Sequence, residues 1–320
     1  ANYRKSSVMV MFPVQPKRVW LTPEKSHESI SHGAPPGYAF IIKWHLILFQ
    51  TRILDKMSVS GDFFQFTGGE LNPIDHAIPT TLSVADSWLV SNGSTRVIDR
   101  HFARFSGSVT KIQQQDLSGF FDAVVSAIPA EGEWFPRIEF RKEQNPGEQL
   151  FFRLRQAPVR TLTCSLWSLD EPDPRVDSQV KGPDLSVCQK LRRKANLHGA
   201  DEAVILDAHG NVADGALSSI VWWRDDVLCG PDDSTDWLPS ITRELVFEMA
   251  NQAGFETAFV NSKPEDLAGC EVWSLSALQG IRGVTHWQNI PLSNLNRLSS
   301  FRKRLALLTN PSQSDDLSIA

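Results

Sequence analysis

Apolar and polar residues alternate with the two-residue period of β-strands along much of the chain after residue 57. Phe64 and Phe66 follow this pattern just before Gly68-Gly69, which predicts a β-hairpin. This pattern, or a short apolar run as at 203–206 and 220–223, predicts strands in a series of short stretches: 84–90, 134–141, 149–155, 161–167, 203–206, 220–223, 227–229 and 271–275. The last of these is the final strand that the pattern predicts.

Turn residues, capping residues and helical spacing together predict the helices. Asn92-Gly93 is a strong hairpin turn, so a returning strand is predicted to begin at Val97-Ile98, with a helix after His101. Apolar residues recur at helical spacing over 185–195 and over 241–253, and each of these helices is predicted to end at a glycine.

The distribution of these patterns predicts an α+β chain in two domains with an extension. Residues 169–184 are rich in proline and aspartate and indicate a connection between domains. Residues 1–56 show no sustained period and are predicted to be an extension of unclear role, with Met57 a possible functional start. The predicted domains are a small α+β domain over 57–175 and a larger domain over 176–320.

Composition narrows the class of protein. A chain of 320 residues is long enough for two domains, and its formal net charge of -5 argues against nucleic-acid binding. The four cysteines form no CxxC pair, and Asp207, His209 and Asp214 lack a convincing ligand spacing, so no metal site is expected. No apolar run reaches the ~20 residues that a membrane span needs. A cytoplasmic protein is therefore expected.

Several segments together resemble a known family. They are, in chain order, VADSWLVSNG at 84–93, HFARF at 101–105, VK at 180–181, GADEAVILDAHGNVADG at 199–215, LPSITRELV at 238–246 and EVWSLSALQGIRGV at 271–284. The chain resembles the class IV aminotransferases, which are fold-type IV pyridoxal-phosphate enzymes. This family includes branched-chain and D-amino-acid aminotransferases and aminodeoxychorismate lyases.

The resemblance implies a fold, a cofactor and a state of assembly. The fold would be the two-domain α+β fold of D-amino-acid aminotransferase, with a small N-terminal domain and a larger C-terminal domain. Pyridoxal 5'-phosphate would lie between the domains. The substrate would be an amino acid or a similar small molecule, and a homodimer is expected.

Lys181 is the catalytic residue that the resemblance implies. The family's reactive lysine stands about twenty residues before an Asp-Glu-Ala strand, and Lys181 stands twenty before Asp201. Such an amine forms a Schiff base with the cofactor aldehyde and then shuttles the substrate α-proton, for which its pKa must be lowered. A lysine exposed in a connecting segment is the alternative interpretation of this residue.

The resemblance also assigns the groups around the ring. Asp214 takes the place of the family's glutamate beside the pyridine nitrogen, where an anion keeps the ring protonated. Its side chain is one methylene shorter than glutamate. Ser219 is a small polar residue before the apolar stretch 220–223, where relatives often have Asn-Leu-Phe.

The phosphate site comes from two segments. Ser240, Ile241 and Thr242 match the family's Gly-Ile-Thr at a predicted helix N-terminus, whose N–H groups and dipole favour an anion. Ser276 and Ala277 would add further contacts, although many relatives have threonine at position 277.

The sequence differs from the family pattern at the position of one arginine. Leu89 stands where relatives have an arginine that binds the phosphate, and Arg96, Arg100 or Arg104 is a candidate to replace it.

Three functions remain open from the sequence. The first is amino-group transfer between an amino acid and a 2-oxo acid. The second is an aminodeoxychorismate lyase that releases 4-aminobenzoate and pyruvate, which is favoured by the similarity of Ser276-Ala277-Leu278 to the lyases' Asn-Ala-Leu. The third is a relative without cofactor and catalysis, which the residues at positions 89 and 277 suggest.

Overall fold

The computed structural model describes residues 62–311. The predictions made for residues 1–56 and for Met57 lie outside the described residues. Within residues 62–311 no helix is long and apolar enough to cross a membrane.

Five α-helices are found in this part of the chain: α1 Ile98–Thr110, α2 Ser118–Ala127, α3 Leu185–Leu197, α4 Ile241–Gln252 and α5 Leu298–Ala306. The strands are β1 Asp62–Thr67, β2 Glu70–Pro73, β3 Val84–Ser87, β4 Val90–Ser91, β5 Ser94–Arg96, β6 Glu133–Trp134, β7 Arg137–Phe140, β8 Leu150–Leu154, β9 Thr163–Ser168, β10 Glu202–Leu206, β11 Val212–Gly215, β12 Ser219–Arg224, β13 Val227–Gly230, β14 Glu256–Phe259, β15 Glu271–Ser276, β16 Gly280–Trp287 and β17 Thr309–Pro311.

These strands form three sheets. A five-stranded sheet has the order β2-β1-β8-β7-β3, an eight-stranded sheet has the order β11-β10-β9-β16-β15-β12-β13-β14, and a four-stranded sheet has the order β17-β5-β4-β6. β9 precedes the connecting segment 169–184 in sequence, yet it pairs with β10 and β16 of the eight-stranded sheet. The two-domain division at residues 175 and 176 stays a prediction.

The eight-stranded sheet has an apolar cluster on each face because successive strand residues point to opposite sides. Trp223 packs with α4 and α5 in one cluster, and its neighbour Trp222 belongs to the cluster on the other face. Both side chains are buried. This sheet therefore holds the strand ends and the start of α4 in fixed relative positions.

The predicted first hairpin is confirmed. β1 and β2 are antiparallel, and Gly68 and Gly69 have φ angles of 64° and 87°, a left-handed conformation that suits glycine. Phe66 packs against Phe120 of α2, with ring centroids 5.4 Å apart. α2 itself was not predicted from the sequence.

The predicted second hairpin needs two corrections. The stretch 84–90 is not one strand, because β3 pairs in the five-stranded sheet and β4 pairs in the four-stranded sheet. The returning strand is β5, and Val97-Ile98 does not begin it. Val97 has a φ of 42° and is the N-cap residue of α1, so the chain turns into the helix there.

The prediction that 271–275 is the final strand is wrong. β15 continues into β16, which pairs with it antiparallel, and α5 and β17 follow. The predicted helices over 185–195 and 241–253 are confirmed as α3 and α4. The four cysteines are buried and free.

Candidate active site

One cleft gathers residues from the connecting segment, the eight-stranded sheet and the start of α4. It encloses about 710 Å³ of empty space, part of which is open to solvent. All residues predicted for the cofactor site line this cleft: Lys181, Asp214, Ser219, Ser240, Ile241, Thr242, Ser276 and Ala277. Four separate segments thus meet where the sequence analysis placed one site, and the role of each residue stays a prediction.

Lys181 is held by its backbone and activated by its surroundings. Its carbonyl accepts a hydrogen bond of 2.6 Å from the N–H of Ala85, which joins the connecting segment to β3. A Cβ added at Gly182 would lie 2.7 Å from the carbonyl oxygen of Ser83, so only glycine allows this close approach. Burial, with the Arg104 cation nearby, lowers the pKa of Lys181 to about 8. Near physiological pH this amine is therefore mostly protonated, but a far greater share of it is neutral than of an ordinary lysine.

A buried ion cluster lies beside Lys181. Arg104 donates two hydrogen bonds to Asp86, of 2.8 Å from Nε and 2.7 Å from Nη2, and Nδ1 of His101 lies 2.8 Å from Oδ1 of the same carboxylate. Arg104 also donates to the carbonyl of Pro239 at 2.7 Å, just before α4. Burial opposes ionisation of Asp86, but the Arg104 cation and the hydrogen bonds from Arg104 and His101 hold the pKa of Asp86 well below its usual range.

We expect Asp86→Asn to destabilise the fold by about 3 kcal/mol, because it leaves Arg104 and His101 without their anionic partner. The measurement is the free energy of unfolding in urea, with Asp122→Asn on α2 as an exposed control. An equal, small effect in the two variants would contradict the assignment of Asp86 as the carboxylate that neutralises this cluster.

Asp214 is the buried carboxylate of the cleft. Its Oδ1 accepts from the N–H of Gly215 at 3.1 Å and its Oδ2 from the N–H of Leu238 at 3.0 Å. Nη1 of Arg175 lies 3.4 Å from Oδ2. Burial raises the pKa of Asp214 to about 6, and the Arg175 cation opposes this rise. Asp214 is therefore mostly ionised at neutral pH.

The start of α4 presents free N–H groups to the cleft. The hydroxyl of Ser240 accepts a hydrogen bond of 3.3 Å from the N–H of Arg243, as predicted for an N-cap. The N–H groups of Ile241 and Thr242 have no partner inside the helix, as is general for a first turn. Both residues line the cleft, so these donors are available to an anion.

The lining of the cleft also includes His101, Arg175 and Cys188, which the sequence analysis did not assign to the site. Arg175 lies in the connecting segment and donates to both carboxylate oxygens of Asp173 as well as facing Asp214. Its only sequence signal is its place six residues before Lys181. The buried apolar position of Cys188 on α3 gave no signal of a site.

A second cavity of about 920 Å³ adjoins the cleft and shares Lys181, Ser276 and Ala277 with it. Arg137, Arg155 and Arg282 line it together with Glu202. Glu202 lies 4.0 Å from Arg282, and burial raises its pKa to about 7. The side of the cleft away from α4 therefore carries an excess of positive charge.

Comparison with protein families identifies the class. The family model described as amino-transferase class IV matches residues 83–287 of this chain. This match covers more than half of the chain and includes Lys181, Asp214 and the first turn of α4. The chain belongs to the class IV aminotransferase family.

Individual relatives agree with this assignment. The branched-chain-amino-acid aminotransferase of Salmonella typhimurium is 33% identical over 92 residues, which are 29% of this chain and 30% of the relative. The chain thus matches less than a third of the length of this curated relative.

Solved structures share the fold. An aminotransferase from Brucella abortus, solved with the cofactor pyridoxal phosphate, has a TM-score of 0.66 at 19% identity, over 77% of this chain and 99% of its own. A putative 4-amino-4-deoxychorismate lyase from Legionella pneumophila has a TM-score of 0.64 at 16% identity, over 73% and 96%. The predicted fold-type IV fold is confirmed.

Proposed function

We propose that this protein is a pyridoxal-phosphate-dependent aminotransferase that moves an amino group between an amino acid and a 2-oxo acid. The observation that carries the proposal is the position of Lys181. Its amine, of lowered pKa, lies in one cleft with a buried carboxylate and the free N–H groups of a helix N-terminus. Membership of the class IV family supports it.

The residues of the cleft fit pyridoxal phosphate. The cofactor has three groups to satisfy: an aldehyde, a pyridine nitrogen and a phosphate. Lys181 offers an amine to the first, Asp214 a carboxylate to the second, and Ile241 and Thr242 offer N–H donors to the third. Ser219, Ser240 and Ser276 add hydroxyls, and Ala277 lines the phosphate end. When bound, the cofactor supplies an aldehyde that bonds to amines and a ring that accepts electrons.

In this proposal the amine of Lys181 moves the proton of the reaction. It takes the proton from the Cα of the substrate and returns one in the second half of the transfer. A general base works best when its pKa is near the operating pH, which a pKa of about 8 satisfies.

The negative charge of Asp214 would stabilise the protonated form of the pyridine nitrogen. Arg175 holds this carboxylate in place and favours its ionised form, because the pair lies buried where water screens charge poorly. The N–H groups of Gly215 and Leu238 fix the same carboxylate from two other directions.

The arginine-lined cavity would receive the substrate's carboxylate. Nε of Arg155 donates to the carbonyl of Phe135 at 3.1 Å, and no carboxylate in residues 62–311 lies within ion-pair distance of it. By contrast, Arg137 pairs with Glu139 and Arg282 faces Glu202. Arg192 also lines the cavity and donates only to the carbonyl of Asp201, but it is exposed. Arg155 is thus the more buried of the two arginines that have charge left for a ligand.

We expect Arg155→Leu to raise the KM for the amino-acid substrate about 10- to 100-fold, with a smaller effect on kcat, because a charged hydrogen bond to the carboxylate is lost. Steady-state kinetics measures this. Arg193→Leu, on the exposed face of α3, is the matched control. An unchanged KM in Arg155→Leu would contradict the placement of the carboxylate.

Two half-reactions test the function itself. In a single turnover, an amino acid should change the absorption spectrum of the cofactor-loaded protein, and a 2-oxo acid should restore it.

Two other outcomes would favour the alternative functions. A lyase would release pyruvate from aminodeoxychorismate without any 2-oxo acid, and this result would replace our proposal. A protein that binds no pyridoxal phosphate would support the relative without cofactor. A homodimer and a cytoplasmic location are part of the proposal.

A further inference from the structure

The arginine-lined cavity borders a layer of polar side chains that belongs to the eight-stranded sheet. Three polar residues of this sheet each lie two positions from a valine of one apolar cluster: Glu202 beside Val204 on β10, Ser274 beside Val272 on β15 and Arg282 beside Val284 on β16. Residues two apart on a strand point to the same side, so these polar side chains continue the apolar face. Glu202 and Arg282 also line the cavity.

The two charged side chains of this layer are almost fully buried and only loosely paired. Glu202 is 2% exposed and Arg282 is 5% exposed. Nη2 of Arg282 lies 4.0 Å from Oε2 of Glu202 and donates instead to the hydroxyl of Ser274 at 3.3 Å. Nε of Arg282 has no hydrogen-bond partner among residues 62–311. Because buried donors are nearly always hydrogen-bonded, this guanidinium has the capacity to bind a further acceptor.

Glu202 decides how much of the charge on Arg282 is neutralised. It is the one carboxylate among the described residues that line this cavity, whereas four arginines line it. Burial raises the pKa of Glu202 to about 7, although the Arg282 and Arg192 cations oppose the rise. Near neutral pH about half of the Glu202 side chains are therefore protonated, and each protonated one leaves Arg282 without an anion.

The other groups around Glu202 keep one charge state near neutral pH. Arg282 faces it from β16 and Arg192 from α3, and arginine side chains stay protonated in proteins. On β9, burial raises the pKa of the neighbouring Cys164 thiol to about 11. The hydroxyl of Ser218 donates to Oε2 of Glu202 at 3.2 Å. A change in the charge of this cluster near pH 7 is therefore a change in Glu202.

We propose that Arg282, together with the protonated form of Glu202, binds a second carboxylate at the far end of the substrate's side chain. The inference deepens the proposed function and rests on it, because Arg155 there binds the α-carboxylate of the same amino acid. The protonated Glu202 would donate its O–H to the second carboxylate, whereas the ionised form would repel it. Amino acids with an acidic side chain are thus bound together with a proton. Apolar side chains bind poorly, because they would cover the buried charges without pairing them.

Calorimetric titration of the cofactor-loaded protein counts this proton. The probes are glutarate, a dicarboxylate, and valerate, the monocarboxylate of equal chain length, neither of which has an amino group to transfer. Titrations in two buffers of different ionisation enthalpy give the number of protons taken up. At about pH 8 glutarate should take up about one proton more than valerate, and at about pH 6 the difference should nearly vanish. Lys181 also titrates in this range, but it affects both probes.

Two variants separate the roles of the pair. Arg282→Leu should weaken glutarate binding at about pH 6 on the order of 10- to 100-fold and valerate binding far less, because a charge-assisted hydrogen bond is lost. Glu202→Gln, whose amide resembles the protonated acid, should bind glutarate equally well at both pH values and without the extra proton. Arg193→Leu removes an exposed arginine of α3 and is the control for net charge.

The length of the side chain is tested with succinate and adipate, each beside its own monocarboxylate. Equal proton uptake by every dicarboxylate and its monocarboxylate in the unaltered protein would overturn the inference without any variant, while the two half-reactions would still test the proposed function. Equal weakening of glutarate and valerate in Arg282→Leu would also overturn it. The expected proton uptake in a protein that performs neither half-reaction would support the second carboxylate site and overturn the proposed function.

Discussion

Lys181→Ala is expected to lower turnover at least about 10⁴-fold, the upper end for the loss of one general acid–base group. The effect is this large because the same amine bonds to the cofactor and moves the substrate proton in our account. The variant should also lack the visible absorption band that the unaltered protein acquires with pyridoxal phosphate. Turnover and the absorption spectrum are the two measurements.

The control for this variant is Lys190→Ala, which removes an exposed lysine of α3 and should change neither quantity. The pH dependence gives a second check. Capture of the cofactor requires the neutral amine, so its rate should rise with pH and level off above about 8. Substantial turnover in Lys181→Ala, with the band intact, would show that another amine does this work.

Asp214→Asn is expected to lower kcat about 10²- to 10³-fold, a typical loss when one preorganised electrostatic group is removed from an active site. The amide keeps the shape of the side chain but not the charge that would hold the pyridine nitrogen protonated. Arg175 would then face the ring nitrogen without a neutralising carboxylate between them. Steady-state kcat, at saturating cofactor, is the measurement.

Asp214→Glu separates charge from distance. It restores the residue found in relatives and keeps the charge, so it should retain most of the activity if the ring can shift by one methylene. Folding of both variants is checked by their unfolding free energies, which should be similar. Equal kcat in Asp214→Asn and the unaltered protein would contradict the assignment of Asp214 to the ring nitrogen.

Much of the site could be predicted because each part has a local signal. Lys181 has a fixed spacing to the Asp201 segment, Asp214 precedes a turn glycine, and Ser240 caps a helix whose start is visible from its sequence. These signals depend on residues close together in the chain. The structure brings the predicted residues to one cleft, which no local pattern could show by itself.

The contacts of the site that were not predicted join residues that are far apart in sequence. Asp86 and Arg104 meet through the packing of α1 against β3, and Arg175 reaches Asp214 across 39 residues. The pattern of apolar and polar residues indicates which positions are buried and whether they lie in a helix or a strand, but it does not indicate which buried charges neutralise each other. The pairing of Arg100 with Glu248 and of Arg104 with Asp86 became visible only in the fold.

The strands and helix start that were predicted wrongly have a similar explanation. Residues 84–90 are mostly apolar and have no turn residue among them, so the sequence does not reveal that β3 and β4 pair in different sheets. β-branched residues such as Val97 and Ile98 favour strands, but tertiary packing starts α1 there instead. β16 has its large apolar residues at 281, 284 and 287, a spacing of three that does not match the two-residue period of a strand. Local propensity was overruled by packing in each case.

The measurement that tests the central claim most directly is borohydride reduction of the protein loaded with pyridoxal phosphate, followed by digestion and mass spectrometry. Our account predicts one modified peptide, with the reduced cofactor attached at Lys181. Attachment at a different lysine, or no attachment despite binding of pyridoxal phosphate, would contradict it.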